Sequence, residues 1–354
     1  MIDNALELEE VPCPLCGKFS DCIAAEQRDF VHRVDMSRMW TLRGCGGCQH
    51  YYLSPRPSAR SISMFYPENY SYFMPSKLKS IARNILRVWM TQLYIPKQAA
   101  EGFEYHPKKN LFSRMAAEIL LPLLARRGLN CLVSPFMTER SYGMKLQPGM
   151  RFLEIGCGAG WDVNLTDSSL SIRSMARRGI SAVGVEPSAA CRKELMNDGV
   201  KAYATIQELA SSENGSFDFI RLNWSLEHIA DPVDTLRALT RFFGPKTKML
   251  ITVPNYDGIS YKIAPNCIEV PLHLQYFTEA SLRKLCEMTG YKVDRLISFC
   301  TPALLSLVIG FKENKEPNQV LYRERERVLG LMDDAHRARK GDELFCVLSR
   351  PFPD

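Results

Sequence analysis

Four cysteines near the start of the chain have the spacing of a metal site. Cys13 and Cys16 form one C-x-x-C pair, and Cys45 and Cys48 form a second pair after an interval of 28 residues. Each pair can direct two thiolates at one ion, and neighbouring glycines allow a tight backbone turn beneath it. The spacing predicts a structural Zn²⁺ site, because four thiolates leave no coordination position for water.

The residues around these pairs refine that expectation. Residues 30–42 have room for a hairpin between the pairs, which predicts a zinc-ribbon domain at residues 1–60. Cys22 and His50 lie nearby but belong to no pair, so we do not expect them to be ligands. Acidic and basic residues are balanced in this segment, which disfavours a nucleic-acid partner because no basic stripe is present to neutralise phosphates.

A glycine-rich loop follows an apolar run in the middle of the chain. Glu154 ends the run, and Gly156, Gly158 and Gly160 follow at alternate positions. A strand that runs into such a loop lets backbone approach a ligand closely, although a turn without a ligand would share this pattern. Trp161 stands where the nicotinamide-dinucleotide fingerprint needs a small residue, so that cofactor is disfavoured.

A second acidic residue follows the next apolar segment. Residues 180–185 read as a β-strand, and Glu186 stands directly after it. A carboxylate at the end of the second strand can accept hydrogen bonds from both hydroxyls of a ribose. The alternative is an acid that only caps the following helix; together with the glycine loop, the ribose role is favoured.

Two histidines are candidates for proton transfer. His228 follows the predicted fourth strand, residues 217–222, and His273 precedes a helix that Thr278 can cap. Ligands of open parallel sheets bind beyond the carboxyl ends of the strands, so residues 224–228 should face the reactive end of a cofactor. A histidine there can deprotonate a hydroxyl or an acidic carbon, or it can merely order the loop.

These side chains require a sheet to position them. Apolar segments alternate with helical segments after residue 149, which predicts a doubly wound, Rossmann-like α/β sheet over residues 149–354. Residues 292–299 and 343–349 should form a final antiparallel pair, and residues 318–340 one charged, exposed helix.

Residues 61–148 read as a helical bridge on the substrate side of the molecule. Tyr70 and Tyr72 lie in an aromatic segment around a turn, and residues 77–93 carry apolar residues at helical spacing. The tyrosines fit a packing contact between domains, or phenols that reach a substrate.

The composition limits the class of protein. The formal net charge of +6 is too small to indicate nucleic-acid binding. The acidic N-terminus lacks the pattern of a signal peptide, and the longest apolar stretch, residues 301–311, is too short to span a bilayer. Twelve cysteines without a secretion signal indicate reduced thiols or metal ligands. We expect a cytoplasmic protein, and its oligomeric state stays open.

The combined motifs resemble those of one family. The pattern E-x-G-x-G-x-G resembles the cofactor loop of class I S-adenosylmethionine-dependent methyltransferases. The two cysteine pairs and the segments YLSPRPS, FYPENY, LEIGCGAG, VGVEPS, SLEHIADP, TVPN and PLHLQYFT occur in an order similar to that of the sugar C-methyltransferases, which carry an N-terminal zinc ribbon. The resemblance covers about three quarters of the chain.

The resemblance implies roles for individual residues. Gly156, Gly158 and Gly160 would meet the methionine portion of S-adenosylmethionine, and Glu186 its ribose. His228 would act on the substrate side, with Glu227 and Tyr70 or Tyr72 near it. Further cofactor contacts are expected on the same loops, from Glu154, Cys157, Pro187, Asn223, Trp224 and Ser225. Glu154 and Glu186 are 32 residues apart, longer than usual in the family, so residues 164–172 look inserted.

These observations predict a methyltransferase. The expected acceptor is a small polar molecule, foremost a nucleotide- or polymer-linked sugar, methylated at carbon or oxygen. Two alternatives stay open, namely a binding module with this fold but no turnover, and a nucleic-acid methyltransferase. The second is disfavoured by the charge balance and by the lack of an N/D-P-P-Y/F motif.

Overall fold

The computed structural model of the protein describes residues 6–30, 35–66, 145–160, 170–265 and 269–350, together with positions 115 and 119. Tyr70 and Tyr72, most of the predicted bridge and Trp161 lie outside the described residues. So do residues 164–169 of the segment that looked inserted.

The strands of the described residues follow in chain order. They are β1 (Leu8–Glu9), β2 (Ile23–Gln27), β3 (Trp40–Cys45), β4 (His50–Leu53), β5 (Arg56–Pro57), β6 (Arg151–Ile155), β7 (Ser181–Val185), β8 (Lys201–Tyr203), β9 (Phe217–Asn223), β10 (Phe243–Pro254), β11 (Gln275–Tyr276), β12 (Lys292–Phe299) and β13 (Glu343–Ser349).

Seven of these strands form the central sheet, in the spatial order β12-β13-β10-β9-β6-β7-β8. The five strands from β8 to β10 run parallel, and β13 joins β10 antiparallel. The sheet therefore reverses its order between β6 and β9, which is where an open α/β sheet leaves a crevice for ligands. The predicted Rossmann-like sheet is confirmed, and the final antiparallel pair has the predicted bounds.

Helices cover the sheet and its C-terminal extension. They are α1 (Ile172–Arg177), α2 (Ala189–Asn197), α3 (Ile206–Ser212), α4 (Pro232–Leu239), α5 (Ile259–Ile263), α6 (Glu279–Met288), α7 (Pro302–Glu313), α8 (Pro317–Arg323) and α9 (Arg325–Arg337), with 3₁₀ turns at Ile62–Phe65, Leu226–His228 and Thr240–Phe242. Side-chain caps fix several of the helix starts. The predicted cap Thr278 accepts a hydrogen bond from the Ser281 amide at 3.1 Å.

The C-terminal helices correct one expectation. Residues 318–340 are two helices, α8 and α9, that meet at Glu324. They are not exposed on all sides, because Val320, Val328 and Met332 pack with α7 in one apolar cluster. The many charged residues of this segment make its few buried apolar residues hard to recognise in the sequence.

The N-terminal strands form a separate four-stranded sheet in the order β11-β4-β3-β2. A hairpin of β2 and β3 is present, but its strands begin at Ile23 and end at Cys45, so they flank most of the range, residues 30–42, in which the hairpin was expected. One edge strand of this sheet, β11, comes from the C-terminal half of the chain and pairs antiparallel with β4. The N-terminal sheet is therefore completed by a strand that lies between β10 and β12 of the central sheet in sequence.

The core has one apolar layer on each side of the central sheet. Leu153, Ile220 and Ile251 contribute to one layer, whereas Phe152 and Phe219 contribute to the other. This alternation along β6 and β9 is expected of strands buried on both faces. In the described ranges no helix is long and apolar enough to cross a membrane.

Candidate functional site

The glycine loop leaves β6 with backbone angles that favour glycine. Gly156, Gly158 and Gly160 all have positive φ, at 72°, 53° and 74°. A Cβ on Gly156 would lie 2.5 Å from the Cβ of Ser225, and one on Gly160 would lie 2.5 Å from Cδ2 of Leu195. These glycines are required by packing as well as by conformation, and they keep the loop close to the sheet edge.

Glu186 stands beside this loop at the end of β7. Its Oε2 accepts a hydrogen bond from the Gly158 amide at 2.9 Å, and its Oε1 accepts one from the Ser188 amide at 2.8 Å. Burial raises the pKa of this carboxyl, and the two amides oppose the rise. Each oxygen keeps a further lone pair, so the carboxylate can still receive two hydroxyls.

Glu154 has a partner inside the protein. Its Oε1 lies 2.7 Å from Nε of Arg221 on the adjacent strand β9, and both side chains are buried. Nη1 of Arg221 also donates to the Leu170 carbonyl at 2.9 Å. This ion pair lies under the glycine loop and ties β6, β9 and the start of α1 together. The direct cofactor contact expected of Glu154 stays a prediction.

The loop after β9 is fixed against its neighbours. Trp224 has a φ of 47°, and its amide donates to the Thr252 carbonyl at 3.0 Å. Asn223 Oδ1 accepts from the Thr252 hydroxyl at 2.6 Å, and Ser225 Oγ donates to the Ile155 carbonyl at 2.8 Å. This loop therefore lies beside the glycine loop, where the sequence predicted its contribution to cofactor binding.

Cys157 and Pro187 lie close to the end of β7. Cys157 Sγ lies 3.8 Å from the Val185 carbonyl, and a Cβ on Gly184 would lie 2.5 Å from this sulfur. The Pro187 carbonyl accepts from Arg192 at 2.6 Å. Both residues line the edge that carries Glu186, and their contact with a cofactor stays a prediction.

Glu227, His228 and His273 form the His–Glu cluster at the end of β9. One possible ligand atom from each residue lies within 4.8 Å of the others, and the two imidazoles meet edge to face with centroids 4.7 Å apart. Glu227 is 1% exposed, and its Oε2 has no hydrogen-bond partner among the described residues. Burial raises the pKa of Glu227 well above its usual range, and Glu269 adds to the rise.

Each histidine of the cluster has an outer partner. Nδ1 of His228 lies 3.0 Å from the Leu272 carbonyl and 3.3 Å from the Tyr66 hydroxyl. Nε2 of His273 lies 3.4 Å from the Glu269 carboxylate. Because a carbonyl only accepts, Nδ1 carries the proton of a neutral His228 ring and Nε2 keeps its lone pair. The Leu272 carbonyl, and not the neighbouring Glu227, therefore fixes the tautomer of His228.

Comparisons with known proteins agree with this geometry. Residues 125–296 match a protein family described as a methyltransferase domain. This part of the chain, just under half of its length, is therefore similar to methyltransferase domains. The matched segment includes β6 to β11, and thus the glycine loop, Glu186 and the His–Glu cluster.

Two curated relatives carry the name ubiquinone biosynthesis O-methyltransferase. The protein of Hahella chejuensis (strain KCTC 2396) is 32% identical over 143 residues, which cover 38% of this chain and 55% of that protein. The protein of Aeromonas salmonicida (strain A449) is 28% identical over 176 residues, which cover 45% of this chain and 68% of that protein. The chain thus spans about half the length of the first of these relatives.

A solved structure of coclaurine N-methyltransferase, bound to N-methylheliamine and S-adenosylhomocysteine (SAH), covers 79% of this chain and 89% of its own. It is 11% identical, with a TM-score of 0.38.

Buried hydrogen bonds join β4 of the N-terminal sheet to the segment that follows His228. Nε2 of His50 on β4 donates to Oε1 of Gln275 on β11 at 2.9 Å. The Gln275 amide nitrogen donates to the Ile229 and Ala230 carbonyls at 3.0 and 3.3 Å, directly after His228. Burial lowers the pKa of His50 to about 4, so the ring is neutral at physiological pH. His50, which the sequence analysis did not expect to be a metal ligand, therefore supports the loop that carries His228.

The four paired cysteines come together in one cluster. One thiol sulfur from each lies within 4.8 Å of the others, and the sulfurs of Cys16 and Cys45 are 3.7 Å apart. Four sulfurs at about 2.3 Å from a tetrahedral zinc ion would be about 3.8 Å apart. The thiol cluster therefore fits a tetrahedral ion, and Cys22 and His50 are outside it, as predicted.

Sequence reasoning missed three residues of this site. Tyr66 lies in the FYPENY segment that was singled out, but the tyrosines proposed there were Tyr70 and Tyr72. Arg221 is a charged residue inside an apolar strand, which is a detectable signal of a buried ion pair. Gln275 lies in the PLHLQYFT motif and gives no sign of its role, because its partners come from distant segments.

Proposed function

We propose that the protein transfers a methyl group from S-adenosylmethionine to a small polar acceptor. The observation that carries this proposal is the arrangement of three features at one sheet edge. The glycine loop follows β6, Glu186 follows β7, and the His–Glu cluster follows β9, which are neighbouring strands. Cofactor groups and an acceptor group therefore face the same crevice.

The cofactor supplies a methyl group on a sulfonium, which is a good leaving group. The protein's task is to align the acceptor atom with the methyl and the sulfur. Glu186 would hold the ribose hydroxyls, and Gly156, Gly158 and Gly160 would admit the methionine portion close to the backbone. Further contacts of Cys157, Pro187, Asn223, Trp224 and Ser225 belong to this proposal.

The His–Glu cluster would handle the proton of the acceptor. Nε2 of His228 has the lone pair for this role, because Nδ1 is turned to the Leu272 carbonyl. His273 is the second candidate base, and its ring lies edge to face with that of His228. A carbon acceptor needs a base strong enough to form an enolate, whereas an oxygen acceptor needs much less.

The acceptor we propose is a sugar linked to a nucleotide or a polymer. The cluster region supports a hydroxyl-rich ligand, since the Tyr276 hydroxyl is buried there without a partner among the described residues. The names of the curated relatives favour oxygen as the methylated atom. Residues 61–148, with Tyr70 and Tyr72, would complete the acceptor side between a ribbon at 1–60 and the domain at 149–354.

Two rival functions make different predictions. A binding module with this fold would retain the cofactor but release no methylated product. A nucleic-acid methyltransferase would label RNA or DNA, which the charge balance disfavours. Mass spectrometry of small molecules that co-purify with the protein, followed by transfer of labelled methyl groups to them, separates all three.

We expect Glu186→Ala to weaken SAH binding by about 1–3 kcal/mol, or roughly 5- to 150-fold. The variant removes the carboxylate that would accept the ribose hydroxyls. Isothermal titration calorimetry with SAH measures the change. Glu208→Ala is the matched control, because Glu208 also accepts a backbone amide, at 2.8 Å, but lies exposed at α3. Equal affinity for SAH in the wild type, Glu186→Ala and Glu208→Ala would exclude Glu186 as a cofactor ligand.

We also propose that the thiol cluster of Cys13, Cys16, Cys45 and Cys48 binds structural Zn²⁺. Such reduced thiolates favour the cytoplasmic location that the sequence predicts.

The double variant Cys13→Ser/Cys16→Ser should lose one equivalent of zinc and become poorly soluble, because the metal contributes directly to ribbon folding. Elemental analysis of protein purified under reducing, chelator-free conditions measures the loss. Cys22→Ser is the control, since Cys22 is exposed and outside the cluster. If the double variant kept its zinc, these cysteines would not be the ligands.

A further inference from the structure

We propose that the His–Glu cluster is a second metal site, which binds a divalent transition-metal cation through Glu227, His228 and His273. Two imidazoles and one carboxylate form a donor set that suits cations such as Zn²⁺, Co²⁺, Mn²⁺ and Fe²⁺ and leaves coordination positions open. This site is distinct from the thiol cluster in both ligand type and position.

The distances permit such a cation after a small adjustment. One possible ligand atom from each residue lies within 4.8 Å of the other two. A point equidistant from three atoms at this spacing is roughly 2.8 Å from each, whereas zinc bonds to nitrogen and oxygen are about 2.0–2.2 Å. Each side chain must therefore close by no more than about 0.6–0.8 Å, which small side-chain rotations can supply.

The surroundings of the two histidines match those of metal ligands. A ligand histidine usually donates its other ring N–H to a backbone carbonyl or a carboxylate, which fixes the ring and its tautomer. Nδ1 of His228 meets the Leu272 carbonyl at 3.0 Å, and Nε2 of His273 meets the Glu269 carboxylate at 3.4 Å. Each histidine thus has an outer partner of the kind that metal-ligating histidines have.

Glu227 gives the independent sign of a missing ligand. Its side chain is 99% buried, and Oε2 has no hydrogen-bond partner among the described residues. A buried carboxylate oxygen without a partner is costly, and a bound cation would remove that cost.

The cation would have a definite use in the proposed function. An acceptor oxygen that entered an open coordination position would be fixed beside the methyl group, and its pKa would fall. His228 would then hold the cation in place of acting as the base, and the coordinated hydroxyl would lose its proton to solvent water before its oxygen takes the methyl group from the sulfonium. This role rests on the proposed function, whereas binding of the cation does not.

Titration with Co²⁺ tests the site directly, because the ligand type determines the spectrum. Cobalt in the thiol cluster gives an intense thiolate-to-metal absorption, whereas an imidazole and carboxylate site gives only weak visible bands. We expect protein that holds one equivalent of zinc, in the thiol cluster, to bind one further Co²⁺ with weak bands only. Glu227→Gln and His273→Asn should each weaken this binding by more than about 100-fold, beyond the 10- to 100-fold typical of losing an outer partner.

Two controls keep the test specific. His336→Asn changes a histidine of α9 outside the cluster and should leave cobalt binding unchanged. SAH titration shows whether each variant keeps its cofactor site, so the metal site and the proposed function can fail separately. Absence of a further Co²⁺ at 1 mM metal, on the order of the weakest useful affinities, would overturn the proposal. Equal binding by wild type, Glu227→Gln and His273→Asn would overturn it as well.

Discussion

His228→Asn should lower the rate of methyl transfer by roughly 10²–10⁴, the usual scale of proton-transfer catalysis. Affinity for SAH should stay within about twofold. Asparagine can place its amide N–H where Nδ1 of His228 now meets the Leu272 carbonyl, so the loop keeps its anchor. It offers no basic nitrogen in place of Nε2. Single-turnover transfer to the identified acceptor, together with SAH calorimetry, measures both quantities.

The outcome separates a chemical role from a purely structural one. If His228 only orders the loop, SAH affinity should fall in parallel with the rate. Near-normal turnover would exclude His228 and transfer the proposed role to His273. His336→Asn again provides the matched substitution on α9 and should change neither quantity.

Arg221→Met should destabilise the protein by about 3–5 kcal/mol, because it leaves the carboxylate of Glu154 buried without its partner. The Arg221 side chain is fully buried, and it holds both Glu154 and the Leu170 carbonyl. The double variant Arg221→Met/Glu154→Leu should recover much of this loss, since it leaves neither charge unpaired. Chemical denaturation followed by circular dichroism measures the free energy of unfolding.

Arg337→Met supplies the exposed control for this pair. Arg337 pairs with Asp334 on α9, and the exposed fractions of the two side chains are 60% and 65%. Loss of such a surface pair should change the free energy of unfolding by no more than about 1 kcal/mol. If Arg221→Met were no more destabilising than Arg337→Met, the pair under the glycine loop would not stabilise the fold.

The sequence predicted the central sheet well because its strands carry strong local signals. The apolar runs before Glu154 and Glu186 are too hydrophobic for exposed segments, and glycine or proline ends them. The paired spacing of the cysteines predicted a cluster that the structure assembles. The resemblance to methyltransferases then assigned roles that local patterns alone left open.

The features that the sequence did not predict depend on contacts between distant segments, and such contacts leave no periodic pattern in the sequence. His50 and Gln275 are 225 residues apart, and Arg221 and Glu154 are 67 residues apart. Burial of these polar groups is decided by the packed structure and not by their neighbours in sequence. The same reason explains why the buried apolar residues of α8 and α9 were not predicted, because they are buried only by packing against α7.

The pairing of β4 with β11 has a consequence for synthesis on the ribosome. The chain must grow by a further 225 residues after His50 before Gln275 exists to pair with it. At about 5–20 residues per second, this interval is roughly 10–45 s. During that time β4 is an open edge, and open edges favour pairing with other chains. We therefore expect N-terminal fragments that end before β11 to aggregate more readily than the full chain.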